Sequence, residues 1–167
     1  MEPTAGKTKK DSGFTLIELL VTLAVAVILA TVAVPNFQGL IARNQLVADH
    51  NEILTGLNYA RSEAVKQRDA VTAVLASDAD GAGWTLEVWD GDGSSVVNCP
   101  ADIQCLRVRD ESGSPVNIST TSDGKVTFNS LGRLSGSSTV QFDLSHGEGN
   151  QESICIGLAG RVGSDCG

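Results

Sequence analysis

Residues 14–34 read FTLIELLVTLAVAVILATVAV, and one side chain in that run, Glu18, is ionisable. As a helix rising 1.5 Å per residue, the run spans about 30 Å, the thickness of a bilayer's hydrocarbon core. The next charge after Glu18 is Arg43. The run is apolar on every side rather than striped, which argues against the core helix of a soluble domain. It also exceeds the roughly 7–15 apolar residues of a cleaved secretory signal, in which an acid would be out of place. The polar segment before it carries Lys7, Lys9 and Lys10. A basic flank predicts that the N-terminal side stays cytoplasmic, which puts the rest of the chain outside the cytoplasm. Disulfides persist there.

Glu18 needs a physical reason to sit where it does. A carboxylate in hydrocarbon costs several kcal/mol unless it is paired or neutralised. Either it hydrates at the membrane interface, or it meets a positive group supplied by processing or by a neighbouring subunit. Gly13-Phe14-Thr15-Leu16-Ile17-Glu18 resembles the type IV pilin (class III) signal: a short basic leader ending in Gly, then Phe, with Glu at the fifth mature position. The resemblance implies that a prepilin peptidase cuts between Gly13 and Phe14 and methylates the amine of Phe14. It implies that Glu18 pairs with such an amine during assembly, as an acid buried among packed helices requires. Pro35 then falls where these pilins carry a helix-bending proline, and proline does remove a backbone hydrogen bond and crowd the preceding turn.

A helical period continues beyond the apolar run. Leu40, Val47 and Leu54 are seven apart, and Phe37, Ile41, Leu57, Ala60, Ala64 and Val65 widen the stripe. One helix is expected from about Phe14 to Arg68, bent near Pro35. Its first half spans the membrane, and its second half packs its stripe on a head domain. His50 is expected to be solvated. The segment Leu57–Ala64, LNYARSEA, looks like the "ARSEA" stretch of the GspH/FimT/FimU group, which narrows the resemblance to minor pilins and minor pseudopilins.

From Ala70 the pattern becomes short and β-rich. Strands are expected near Val71–Ala76, Thr85–Trp89, Leu106–Arg109, Val116–Ser119, Lys125–Asn129, Thr139–Leu144 and Ser153–Leu158, separated by Asp-Gly and Ser-Gly turns. They suggest an antiparallel sheet carrying one apolar helix face, an α+β pilin fold. Asp90-Gly91-Asp92-Gly93 could suggest a calcium loop, but the twelfth position is Ala101 and no helices flank it, so a hairpin turn is preferred. Four domains of the chain follow: a prepilin leader (1–13), a transmembrane and assembly helix (14–35), an amphipathic helix (36–69) and a β-rich head (70–167).

Four cysteines permit three pairings. The local one, Cys99 with Cys105 and Cys155 with Cys166, is preferred. No spacing is C-x2-C, which disfavours zinc, and no metal or other cofactor is expected. There is no G-x-S-x-G, H-E-x-x-H or Walker loop, so an enzyme is not expected.

The chain carries 12 Lys+Arg against 20 Asp+Glu, a formal charge of -8. The leader's three lysines stand against Glu2 and Asp11, so its removal leaves the remainder more acidic. That excludes a broadly basic, nucleic-acid-coating surface. Two Gly-Arg pairs remain, Gly132-Arg133 and Gly160-Arg161. FimT-like pilins carry a C-terminal G-R-x-R motif that binds DNA phosphates. Here Gly160-Arg161-Val162-Gly163 lacks the second arginine, which leaves a weak patch unless Arg107, Arg109 or Arg133 folds beside Arg161.

The resemblance implies a minor pilin of the FimT/FimU kind, joining the initiating or tip complex of a type IV pilus. A GspH-like minor pseudopilin of type II secretion and a DNA-binding pilin for DNA uptake are the alternatives. The implied partners are prepilin peptidase, other minor and major pilins or pseudopilins, the inner membrane and, weakly, DNA. The implied location is the bacterial inner membrane, single-pass with the head in the periplasm, and the pilus after assembly.

Overall fold

The computed structural model describes residues 13–77, 83–93, 99, 104–147 and 149–164. The chain divides into two compact units, Met1–Gly39 and Leu40–Gly167. One helix, α1 (Leu16–Gln67), runs through both, within two residues of the expected limits.

In the first unit the helix starts at a side-chain cap. Thr15 Oγ1 accepts the Glu18 N–H at 3.2 Å, and the Thr15 carbonyl accepts the Leu19 N–H at 3.2 Å. The first bond satisfies a donor that a helix start otherwise leaves unpaired, and the second is the first regular backbone bond of the helix. An 18-residue window of α1 has a mean hydropathy of 2.6 and is wholly exposed, so this helix is long and apolar enough to cross a membrane. Thr22 and Thr31 bond their hydroxyls to the Leu19 and Ile28 carbonyls. Neither hydroxyl would therefore be left unsatisfied in lipid.

The second unit holds the core. Eight strands follow the helix: β1 (Val71–Ser77), β2 (Trp84–Asp90), β3 (Cys105–Glu111), β4 (Asn117–Thr120), β5 (Lys125–Phe128), β6 (Val140–His146), β7 (Asn150–Ile156) and β8 (Val162–Gly163). They form two four-stranded sheets, β3-β2-β1-β5 and β4-β6-β7-β8, and every pairing is antiparallel. One sheet was expected and two are found. The break falls after β3, where Ser112 and Ser114 make local turn bonds and β4 pairs with β6 instead.

Alternate residues of the strands point into one aliphatic and aromatic core. Val71, Ala73, Trp84, Leu86, Val126 and Phe128 come from the first sheet, and Phe142, Leu144, Ile154 and Ile156 from the second. Each large apolar side chain so buried contributes about 1.5–3 kcal/mol. The helix supplies Leu46, Ile53, Leu57, Ala60 and Ala64. Gly56 lets it approach closely, since a Cβ there would overlap Leu86 Cδ2.

This corrects the expected stripe. Leu57, Ala60 and Ala64 face the core, but Leu40, Ile41 and Phe37 are more than half exposed, and Val47 and Val65 are also exposed. The expected stripe mixes two faces of the helix, and the line Leu46, Ile53, Leu57, Ala60 and Ala64 wins the contact with the sheets. His50 lies on the winning line and is buried rather than solvated. Its Nε2 is 3.4 Å from the Ser153 carbonyl and 3.5 Å from Ser164 Oγ.

Candidate functional site

The residues singled out in the sequence fall in two places, one in each unit. At the helix start, Gly13 and Phe14 precede the first helical turn, and Phe14 is 86% exposed. Glu18 is the acid of that first turn. Thr15-Leu-Ile-Glu18 has the spacing of a capping box, and the Thr15 half of it is formed. Sequence reasoning missed this local role, although the spacing signals it. A carboxylate there also meets the partial positive charge of the helix N-terminus. Pro35 lies inside α1.

In the head, the two Gly-Arg pairs come together. Asn129 organises the first turn: its Oδ1 accepts the N–H groups of Leu131 (3.0 Å) and Arg133 (3.1 Å). The second turn closes through Gly160 N–H to Gly157 carbonyl (2.8 Å) and Gly157 N–H to Arg161 carbonyl (3.0 Å). Gly160 has φ +79°, and a Cβ on it would collide with the Gly132 carbonyl and crowd Arg133 Cα. Only glycine satisfies both demands. Arg61, the arginine of the ARSEA stretch, donates its Nε–H to the same Gly132 carbonyl at 3.0 Å. Three separate sequence signals thus meet at one carbonyl oxygen. Arg133 and Arg161 are both exposed beside this junction.

Arg107 and Arg109 do not join them freely. Arg109 Nε lies 2.8 Å from Glu52 Oε1 and 3.5 Å from Glu111, and Arg107 lies 3.7 Å from the same Glu52 oxygen. The Arg107 guanidinium also stacks over Tyr59, 5.5 Å from the ring centre. Their charge is spent on tying α1 to β3. Asp49, one turn earlier, accepts bonds on Oδ2 from Trp84 Nε1 (3.0 Å) and Ser114 Oγ.

Cys99 and Cys105 form a disulfide, as preferred from their spacing. Cys155 is also disulfide-bonded, while Cys166 lies outside the described residues. Asp90-Gly91-Asp92-Gly93 is a turn in which both glycines have positive φ. Thr72 Oγ1 donates to the Gly91 carbonyl at 3.0 Å, and Gly91 N–H to Ala70 carbonyl at 2.8 Å. Among the described residues no group of His, Cys, Asp and Glu could hold a metal ion.

Comparison with known proteins agrees with this architecture. Residues 49–160 match the family described as type II transport protein GspH, and residues 8–34 match the prokaryotic N-terminal methylation motif. A fimbrial protein of Pseudomonas aeruginosa is 32% identical over 91 residues, 53% of this chain and 59% of that protein. Type IV major fimbrial protein FimA of Dichelobacter nodosus is 35% identical over 79 residues, 45% of this chain and 44% of the relative. The chain thus spans less than two thirds of the curated relatives it matches. Among solved structures, type IV minor pilin FimU of P. aeruginosa PAO1 superposes with a TM-score of 0.56 at 26% identity, covering 74% of this chain and 90% of FimU. A second crystal form of FimU gives 0.51. Pilins and pseudopilins are structural rather than enzymatic proteins, and on its methylation motif, pilin fold and match over two thirds of its length this chain belongs to the GspH family of type IV pilin-like proteins.

Proposed function

We propose that the chain is a minor pilin that joins the initiating or tip complex of a type IV pilus. Residues 1–13 are then a leader removed by prepilin peptidase, and residues 14–35 anchor the chain in the bacterial inner membrane and later pack in the filament. Residues 36–69 carry the head (70–167) in the periplasm. The observation that supports this most is the likeness to FimU over 74% of the chain. Glu18 takes the role of partner to the methylated amine of Phe14 on a neighbouring subunit.

Complementation of a strain lacking this gene tests the proposal. Wild-type chain restores surface pili. Glu18→Ala is processed and reaches the membrane, yet fails to enter sheared filaments. Wild-type filament yield without the gene contradicts the role, and normal incorporation of Glu18→Ala contradicts the role of Glu18.

The family description favours a second reading, a minor pseudopilin of type II secretion. In that case the same deletion leaves pili intact and abolishes secretion of an exoprotein. DNA uptake draws support from the meeting of the two Gly-Arg turns, which packs the Arg133 backbone against Gly160, the residue before Arg161. Gel shift with duplex DNA, wild type against Arg161→Ala, decides it. A phosphate-binding patch loses affinity with each cation removed and with added salt.

A further inference from the structure

The outward face of α1 in the second unit is unusual for a helix surface. From Asn44 through Val65, every exposed helical residue is uncharged. A solvated helix face ordinarily carries lysines and glutamates. Three of the four charged residues of this stretch besides the buried His50 are drawn toward the head, Asp49 to Trp84, Glu52 to Arg109 and Arg61 to Gly132, and the fourth, half-buried Glu63, pairs with Lys66 on the helix. On the outward face lie Asn44, Asn51 and Asn58, each exposed and each seven residues from the next. At 1.5 Å per residue they stand about 10.5 Å apart. Seven residues bring an α-helix back within about 20° of the same direction, so the three amides form one seam.

The other polar groups on this face are already satisfied. Thr55 Oγ1 donates to the Asn51 carbonyl (2.7 Å) and Ser62 Oγ to the Tyr59 carbonyl (2.8 Å). Asn58 Nδ2 donates to the Leu54 carbonyl (2.9 Å), which leaves its Oδ1 for a partner. The side chains of Asn44 and Asn51 make no hydrogen bond within the described residues. Such a face can be buried against another helix with only its asparagines asking for partners. Exposed Leu40 and Ile41 continue the seam toward the N-terminus, and exposed Val47 lies within it.

We propose that this seam pairs with the same seam of a second copy of the chain, as a parallel helix pair in register. The primary amide is both donor and acceptor, so asparagine is complementary to itself. An asparagine at a heptad-repeated interface position sets register at some expense of stability. The register follows from the membrane. Both copies insert residues 14–34 in the same direction and at the same depth, and the same length of chain separates that span from the ladder. Asn44, Asn51 and Asn58 of one copy then meet their counterparts. The inference rests on the membrane-anchored part of the proposed function and not on the choice between pilus and secretion.

The test uses the full-length chain in bacterial membranes, with single cysteines added at exposed positions. Asn51→Cys and Asn58→Cys form intermolecular disulfides in the oxidising periplasm, seen as a band of twice the chain mass on a non-reducing gel. Gln45→Cys, exposed on the flank of the helix, does not. Carbonate extraction verifies insertion separately: extraction from the membrane refutes the anchored reading itself. Inserted chain that gives no band at 51 and 58, or an equal band at 45, overturns the pairing. An adduct of another mass overturns the second copy as occupant. Two differently tagged copies that join residue 44 to 51 but not 51 to 51 overturn the in-register arrangement. Replacing Asn51 by Leu, probed by cysteine at 58, broadens the cross-links to neighbouring positions; an unchanged pattern overturns the role of the amide in register.

Discussion

The two faces of α1 between Leu40 and Gln67 differ in hydrophobicity and in what they meet. The inward line holds Leu46, His50, Ile53, Leu57, Ala60 and Ala64, with Gly56 at its edge, and is buried. The outward line holds Leu40, Val47 and Val65 among neutral polar residues and is exposed. The apolar period read from the sequence mixes residues of both lines, Leu57, Ala60 and Ala64 with Leu40, Val47 and Val65. Gly56 lets the inward line approach closely, since a Cβ there would overlap Leu86 Cδ2. The difference teaches that an apolar stripe left outside a small domain is a demand for a partner rather than a flaw in the packing.

The comparison can be broken most strongly on the inward face. Leu57→Ala should destabilise the head by about 2–5 kcal/mol, the cost of a cavity in a closed core, whereas Asn51→Ala on the outward face should stay within about 0.5 kcal/mol. Urea unfolding of the 40–167 unit measures both, and equal costs would erase the distinction. Next comes the edge between the faces. Asp49→Ala strips the acceptor from Trp84 Nε1 and Ser114 Oγ, at about 1–3 kcal/mol by the same assay.

A smaller, opposite effect lies at the helix end. Arg68 has φ +58°, a conformation unfavourable to any side chain. Arg68→Gly should raise stability by about 0.5–1 kcal/mol, since the relief of backbone strain exceeds the added freedom of the unfolded chain. The smallest effect concerns Glu63, whose carboxyl is held below its ordinary value of 4.5, chiefly by hydrogen bonding from Lys66 and also from Gln67. A depressed folded pKa contributes stability above the unfolded value and loses it as pH falls through the folded one. Glu63→Gln should therefore lower the unfolding midpoint slightly at about pH 7, and the difference should fade as pH falls below the ordinary carboxylate value and through the depressed folded one.

Much of the fold was legible because its signals are local. The apolar run, the change of period at Ala70 and the Asp-Gly turns each depend on neighbours in sequence, and the helix and seven strands follow from them. The division into two sheets was not legible. It depends on β4 choosing β6 over β3, a long-range pairing that no local pattern announces. The burial of His50 failed for the same reason, since Ser153 and Ser164, about a hundred residues away, create its environment. At the site, glycine and arginine drew attention to the two turns, but their meeting at the Gly132 carbonyl with Arg61 is tertiary. The capping spacing of Thr15 and Glu18 was local and readable.

The central claim is that this chain becomes a pilin-type subunit through its N-terminus, and the direct test is mass spectrometry of the protein recovered from membranes. The account predicts a mature chain that begins at Phe14 and carries a methyl group on its amine. A chain that still begins at Met1, or that is cut beyond the apolar run, would contradict it.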